Sequence, residues 1–214
     1  MSREDENDEL GLHDLMSSLI NGNSEEILEA LSALWDKLQA EDGLELDEIA
    51  WKWNAPKPVN SEILEPFVKR LIELTTYESN SDCDYEIRMF ATDFARWTDK
   101  RAAPALIAKL ELVESESDMI QSALLGIVDF GVIEACDAIY NSIFIHDLNF
   151  DLGQEIIIDH CMHHLIALGK FDDQRAFDII KKGFNDEYYK EISIDILESI
   201  NTSKSQQILD EIKN

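Results

Sequence analysis

From Ser24 onward, apolar side chains return every third or fourth residue along most of the chain. That spacing gathers them on one side of a helix, whereas a strand needs alternation. The clearest run opens at Ser24, a candidate N-cap, and carries Ile27, Leu28, Leu31, Leu34, Trp35 and Leu38 as a single stripe. A second opens at Ser61, with Ile63, Leu64, Phe67, Val68, Leu71 and Ile72 on one face. With 8 glycines and 4 prolines in 214 residues, breakers are too scarce for a sandwich of many short strands. The expected fold class is all-α.

Residues 1–9 are mostly charged and are expected to fray. Residues 10–81 hold N-terminal helices broken by two segments. Glu41–Asn60 contains a short candidate helix (Leu46, Ile49, Ala50, Trp53) and then Asn54-Ala55-Pro56-Lys57-Pro58. Two prolines so close end any helix and stiffen the connector. Glu78–Asp82 is a polar loop.

From residue 82 to 214 the helices come in four pairs: Tyr85–Trp97 with Arg101–Val113, Asp118–Phe130 with Val132–Ile145, Gln154–Leu168 with Asp172–Phe184, and Glu187–Ile200 with Ser203–Ile212. The joints carry turn and cap residues: Thr98-Asp99, Gly131, Gly169 with Asp172, and Asn201-Thr202-Ser203. The second helices share one register: Ala102/Leu106/Leu110, Ala135/Ile139/Ile143, Ala176/Ile180/Phe184 and Lys204/Ile208/Ile212. Their central positions are 33, 41 and 28 residues apart, an uneven period of the size that stacked helical hairpins give. A lone hairpin cannot bury its apolar face, whereas stacked hairpins share a continuous core.

The segment Tyr85-Glu86-Ile87-Arg88-Met89-Phe90-Ala91, followed by Thr98-Asp99-Lys100-Arg101-Ala102-Ala103-Pro104-Ala105-Leu106, resembles a HEAT-type repeat. Its first helix has an Arg and an Ala, the turn an Asp, and the second helix opens Ala-x-Pro-x-Leu. Glu134-Ala135 and Arg175-Ala176 stand where Arg101-Ala102 stand, without the proline. The resemblance covers residues 82–213 and implies an α-solenoid of stacked antiparallel hairpins, continuous with residues 10–81 as one domain.

Charge narrows the function. The chain has 18 Lys+Arg against 45 Asp+Glu, a net −27. That excess repels phosphates, so neither nucleic acid nor an anionic membrane is an expected partner. A basic protein is. Between Lys109 and Lys170 there is no Lys or Arg across 60 residues. The same stretch holds Glu111, Glu114, Glu116, Asp118, Asp129, Glu134, Asp137, Asp147, Asp151, Glu155 and Asp159. An ordinary solvated helix mixes both signs at i, i+4, and this stretch offers no such pair. Cys83, Cys136 and Cys161 are scattered and odd in number, which reads as reduced thiols in a cytoplasm. The N-terminus has no basic region followed by an apolar run, so no signal peptide is expected.

Candidate chemistry is sparse. Asp159-His160-Cys161-Met162-His163-His164 would put His160 and His164 on one helical face, a spacing that can hold zinc. The competing reading, which we favour, is a His-rich helix with Cys161 in the core, because no second ligand pair stands elsewhere. Glycine-rich phosphate loops and a Gly-x-Ser-x-Gly elbow are absent from the sequence. No catalytic residue, metal or cofactor is expected. Trp51, Trp53 and Tyr77 flank the proline connector, either as interface anchors or as a lid on the core. Tyr188 and Tyr189 are expected to split, one buried and one exposed.

Size, charge and repeat type together resemble small acidic HEAT-like immunity proteins of toxin delivery systems, including contact-dependent growth inhibition. That resemblance implies an inhibitor of a basic cognate toxin, a nuclease by preference, and not an enzyme. Its docking surface would comprise Glu111, Glu114, Glu116, Asp118, Asp147, Asp151, Glu155, Trp51 and Trp53. A monomer is expected. The alternatives are a scaffold or adaptor holding a peptide without inhibition, and a HEAT-like lyase or metal-centre chaperone.

Overall fold

Helix is the only regular structure in the described residues, as the spacing of apolar side chains requires. A computed structural model of the chain describes residues 3–42, 61–112, 117–146, 158 and 161–213. It divides into two units, Met1–Leu106 and Ile107–Asn214.

In the first unit, α1 (Arg3–Asn21) and α2 (Ser24–Asp42) form a hairpin. The charged head expected to fray enters α1 from Arg3. The N-cap of α2 is Asn23 and not Ser24. Asn23 Oδ1 accepts from the N–H groups of Glu25 (3.0 Å) and Glu26 (3.1 Å), and the Asn23 N–H donates to Glu26 Oε2 at 2.8 Å. This reciprocal box satisfies three donors. Ser24 Oγ is left to bond Tyr77 OH (3.1 Å) and Ser79 Oγ (2.7 Å), which ties the start of α2 to the 78–82 loop.

The helix expected from Ser61 begins as a 3-10 segment, Ser61–Phe67, and becomes α-helical only in α3 (Val68–Leu74). Pro66 is the reason, since its ring and missing N–H oppose α geometry in the turn before it. The apolar face survives: Ile63, Leu64, Phe67, Val68 and Leu71 are buried. Next, α4 (Asp84–Arg96) packs on α2 and α3. Between α2 and α4, Trp35 lies 5.3 to 5.4 Å from the rings of Phe90, Phe94 and Trp97. A short 3-10 turn, Lys100–Ala102, leads into α5 (Ala103–Leu110), where the two units divide.

The second unit holds α6 (Ser117–Asp129), α7 (Cys136–His146, entered through Ile133–Ala135), α8 (Met162–Lys170), α9 (Gln174–Gly183), α10 (Glu187–Ile200) and α11 (Ser203–Lys213). At its centre, α8 packs against α6, α7, α9 and α10. That explains why His164 through Gly169 are buried without a break. The repeated register holds at Ala135, Ile139, Ile143, Ala176 and Ile180, which are buried, while Phe184 is half-buried at the end of α9. In the last copy the central Ile208 is buried as expected, but the flanking positions Lys204 and Ile212 are only half-buried. Ser205, Ile208 and Leu209 are buried there, and Lys204 points its amine at the Asp172 carbonyl, 3.3 Å away.

Candidate partner-binding surface

Two local constellations share one geometry. Asp99 caps the turn before α5: its Oδ1 accepts from the Arg101 N–H at 2.8 Å and from Arg101 Nε at 2.9 Å. Asp173 caps α9 in the same way, accepting from the Arg175 N–H at 2.9 Å and from Nε at 3.0 Å. Each arginine then crosses to an earlier helical segment. Arg101 Nη2 lies 2.6 Å from Glu65 Oε2, and Arg175 Nη1 lies 2.8 Å from Asp137 Oδ1. Arg175 also lies over the Tyr140 ring, 4.6 Å from its centroid. Hydrogen bonds from the arginines hold the Asp99 and Asp173 carboxyls below the ordinary carboxylate range and raise both guanidiniums. The signal was present in the sequence as Asp99-Lys100-Arg101-Ala102 and Asp173-Gln174-Arg175-Ala176. The two cross-helix carboxylates carry no local motif, so only folding reveals them.

Within the cation-free stretch, Glu111 is exposed just after α5, and Asp118 is half-buried in the first turn of α6. A carboxylate in a first turn also suits the helix dipole. Asp129, Glu134 and Asp137 are exposed. Glu114, Glu116, Asp147, Asp151, Glu155, Trp51 and Trp53 lie outside the described residues. Charge pairing reaches into the stretch from its C-terminal side: Arg175 holds Asp137, and Asp129 opposes the fall that burial imposes on the Lys170 amine.

The His-rich segment is divided differently from expectation. Asp159 and His160 lie outside the described residues, and α8 starts only at Met162. Cys161 is buried as the residue before that helix, and its Sγ lies 3.7 Å from the Ile158 carbonyl. Burial lowers the pKa of His163, and His164 is buried in the core of the unit. Among the described residues no three His, Cys, Asp or Glu side chains gather as a metal site would need. Burial raises the Cys136 thiol, with Asp173 adding to it. Tyr188 is 67% exposed and Tyr189 half-buried, their rings edge to face at 5.1 Å. No helix among the described residues is long and apolar enough to cross a membrane.

No model of a known protein family matches the chain, and no curated protein matches it.

Proposed function

We propose that this protein is an inhibitor that binds a basic protein, and specifically an immunity protein that neutralises a basic toxin of the nuclease class. The observation that carries the reading is the absence of any Lys or Arg between Lys109 and Lys170, in a chain of net charge −27. A nuclease presents positive surface to hold phosphates. An acidic surface steers such a protein in and speeds its capture, which matters when the free partner is lethal. The architecture we propose is a HEAT-like solenoid of stacked hairpins. Two features support it: the first helices of successive pairs, α6, α8 and α10, pack in sequence within the second unit, and the Asp-x-Arg clasp occurs twice.

The test is association with a basic toxin domain, if one is found encoded beside this chain, followed by stopped flow as salt rises. Association is expected to slow with salt, and to slow again when Glu114, Glu116 and Asp118 are reversed to Lys. An on-rate indifferent to both would remove the acidic stretch as the docking surface. A scaffold would bind without blocking toxin activity, so residual nuclease activity in the complex separates the two readings.

A further inference from the structure

We propose that Tyr77, Ser24 and Ser79 form a one-way hydroxyl relay that ends on Asp84, a latch through which the start of α4 holds the start of α2.

The side-chain oxygens stand in line. Tyr77 OH lies 3.1 Å from Ser24 Oγ, Ser24 Oγ lies 2.7 Å from Ser79 Oγ, and Ser79 Oγ lies 2.6 Å from Asp84 Oδ1. Distance alone leaves the donor open at both contacts of Ser24. Proton counting closes both. An ionised carboxylate only accepts, and a hydroxyl has a single hydrogen to give. Ser79 gives its hydrogen to Asp84, so toward Ser24 it can only accept. Ser24 must then donate to Ser79, and it in turn can only accept from Tyr77. The phenol is therefore the donor at the head of the relay. Every bond points toward the charge, the arrangement in which each bond polarises the next.

Both ends are held independently of the relay. The Tyr77 ring packs on the core of the first unit, and Arg88 Nη1 donates to the Tyr77 carbonyl at 2.9 Å. At the other end, Asp84 Oδ2 accepts from the Ser79 N–H at 2.6 Å and from the Asn80 N–H at 3.0 Å, which fixes Ser79 in place. Between them, the first turn of α2 is capped by the box of Asn23 and Glu26 without help from Ser24. The Ser24 hydroxyl is thus left for the latch. The hydrogen bonds of Asp84 go to the loop, so Ser79 is the residue that carries its pull to α2. Ser79 is also the exposed member of the relay, and the latch opens there.

The experiment uses the full chain and reads proton order and coupling separately. Ultraviolet Raman difference spectra between the wild type and Tyr77→Phe isolate the Tyr77 phenol, whose Fermi doublet distinguishes a donor from an acceptor. The wild-type phenol is expected to be a donor. Ser79→Ala removes the acceptor of Ser24 and frees its hydrogen to turn on Tyr77, so in that background the phenol should shift toward the acceptor signature. Ser79→Thr keeps the hydroxyl and should restore the donor. A phenol that accepts in the wild type, or a signature that Ser79→Ala leaves unchanged, would overturn the relay. Coupling is read by amide hydrogen exchange. Asp84→Asn offers a single acceptor oxygen where the carboxylate takes bonds on both, so it loosens Ser79. The amides of Glu25 and Glu26, in the first turn of α2, are expected to exchange about fivefold faster, the effect of losing one ordinary hydrogen bond. Ser81→Ala is the control, since Ser81 Oγ accepts from the Cys83 N–H and lies off the relay. It should leave those amides unchanged. No acceleration with Asp84→Asn, or an equal one with Ser81→Ala, would show that Asp84 does not hold α2 through Ser79.

Discussion

Asp84 shows how a single carboxylate organises the loop that precedes it. It is buried, and it accepts from the Ser79 N–H and Ser79 Oγ, both at 2.6 Å, and from the Asn80 N–H at 3.0 Å. Asn80 takes a positive φ of 64° to bring its N–H into line, a conformation that asparagine tolerates better than most residues. Burial alone would raise the Asp84 pKa. The bonds from Ser79, Asn80 and Ser81 outweigh it, so the folded value lies below the ordinary one. A depressed carboxylate contributes its stability above the unfolded pKa, about 3.9, and loses it as the pH falls through the folded value. Asp84→Asn should therefore cost about 2 kcal/mol near neutral pH, in line with hydrogen bonds to a charged acceptor. The cost should shrink as the pH drops below about 3.9. Urea titrations at the two pH values check this. An equal cost at both would mean that the loop does not depend on the charge. The sequence shows Glu78-Ser79-Asn80-Ser81-Asp82 as a polar break, but not that Asp84 is its hub. The reason is geometric: Asp84 opens α4 and folds back on the loop, a reach that helical spacing does not encode.

At the scale of elements, the legible features were those written into local chemistry. The pairs at Asp84–Leu110, Ser117–His146 and Glu187–Lys213 follow from apolar spacing and caps, within a few residues of the expected ends. The sequence misled where one residue overrode the pattern. Pro66 turned the start of the Ser61 helix into 3-10 geometry, and Asn23 took the cap from Ser24 because Glu26 could answer it across the turn. Asn23→Ala should cost about 1 kcal/mol and Asn23→Gly only a few tenths, since glycine still permits the cap conformation. Thermal unfolding of the two variants checks the order. No loss with alanine would mean that the side chain caps nothing. A second element-level prediction concerns the crossing of α8 and α10. A methyl group at Gly169 would come within 2.7 Å of Ile200 Cγ1, so Gly169→Ala must push the helices apart, at about 1–3 kcal/mol for an overpacked core. Ile200→Ala in the same chain should recover part of that loss. If the double variant is simply the sum of the singles, the two side chains do not meet.

For the whole molecule, the net charge opposes folding, and on the proposed reading it favours binding. The candidate surface was legible as an absence of cations between Lys109 and Lys170, because charge is counted directly from the sequence. The internal pairing of Asp137 was not, because Arg175 lies 38 residues away. With 45 acidic against 18 basic residues, the folded chain concentrates like charge, and that repulsion opposes compaction. Salt weakens the attractive pairs as well, among them Arg70–Glu73 and Arg101–Glu65. Exposed pairs of this kind contribute little, so relief of repulsion across the whole surface should win. Raising ionic strength from about 0.01 M to about 0.15 M shortens the screening length from about 30 Å to about 8 Å, which covers most of that surface. A gain of about 1 kcal/mol would lift the melting temperature by about 2–4 °C for a chain of this size. Over the same range, association with the proposed basic partner should slow, because the field proposed to steer it is the field being screened. Calorimetry and stopped flow on one salt series measure both. If the melting temperature falls with salt, attractive pairs dominate the fold and the net charge is not its burden. If both quantities rise together, the acidic surface is not what the partner sees.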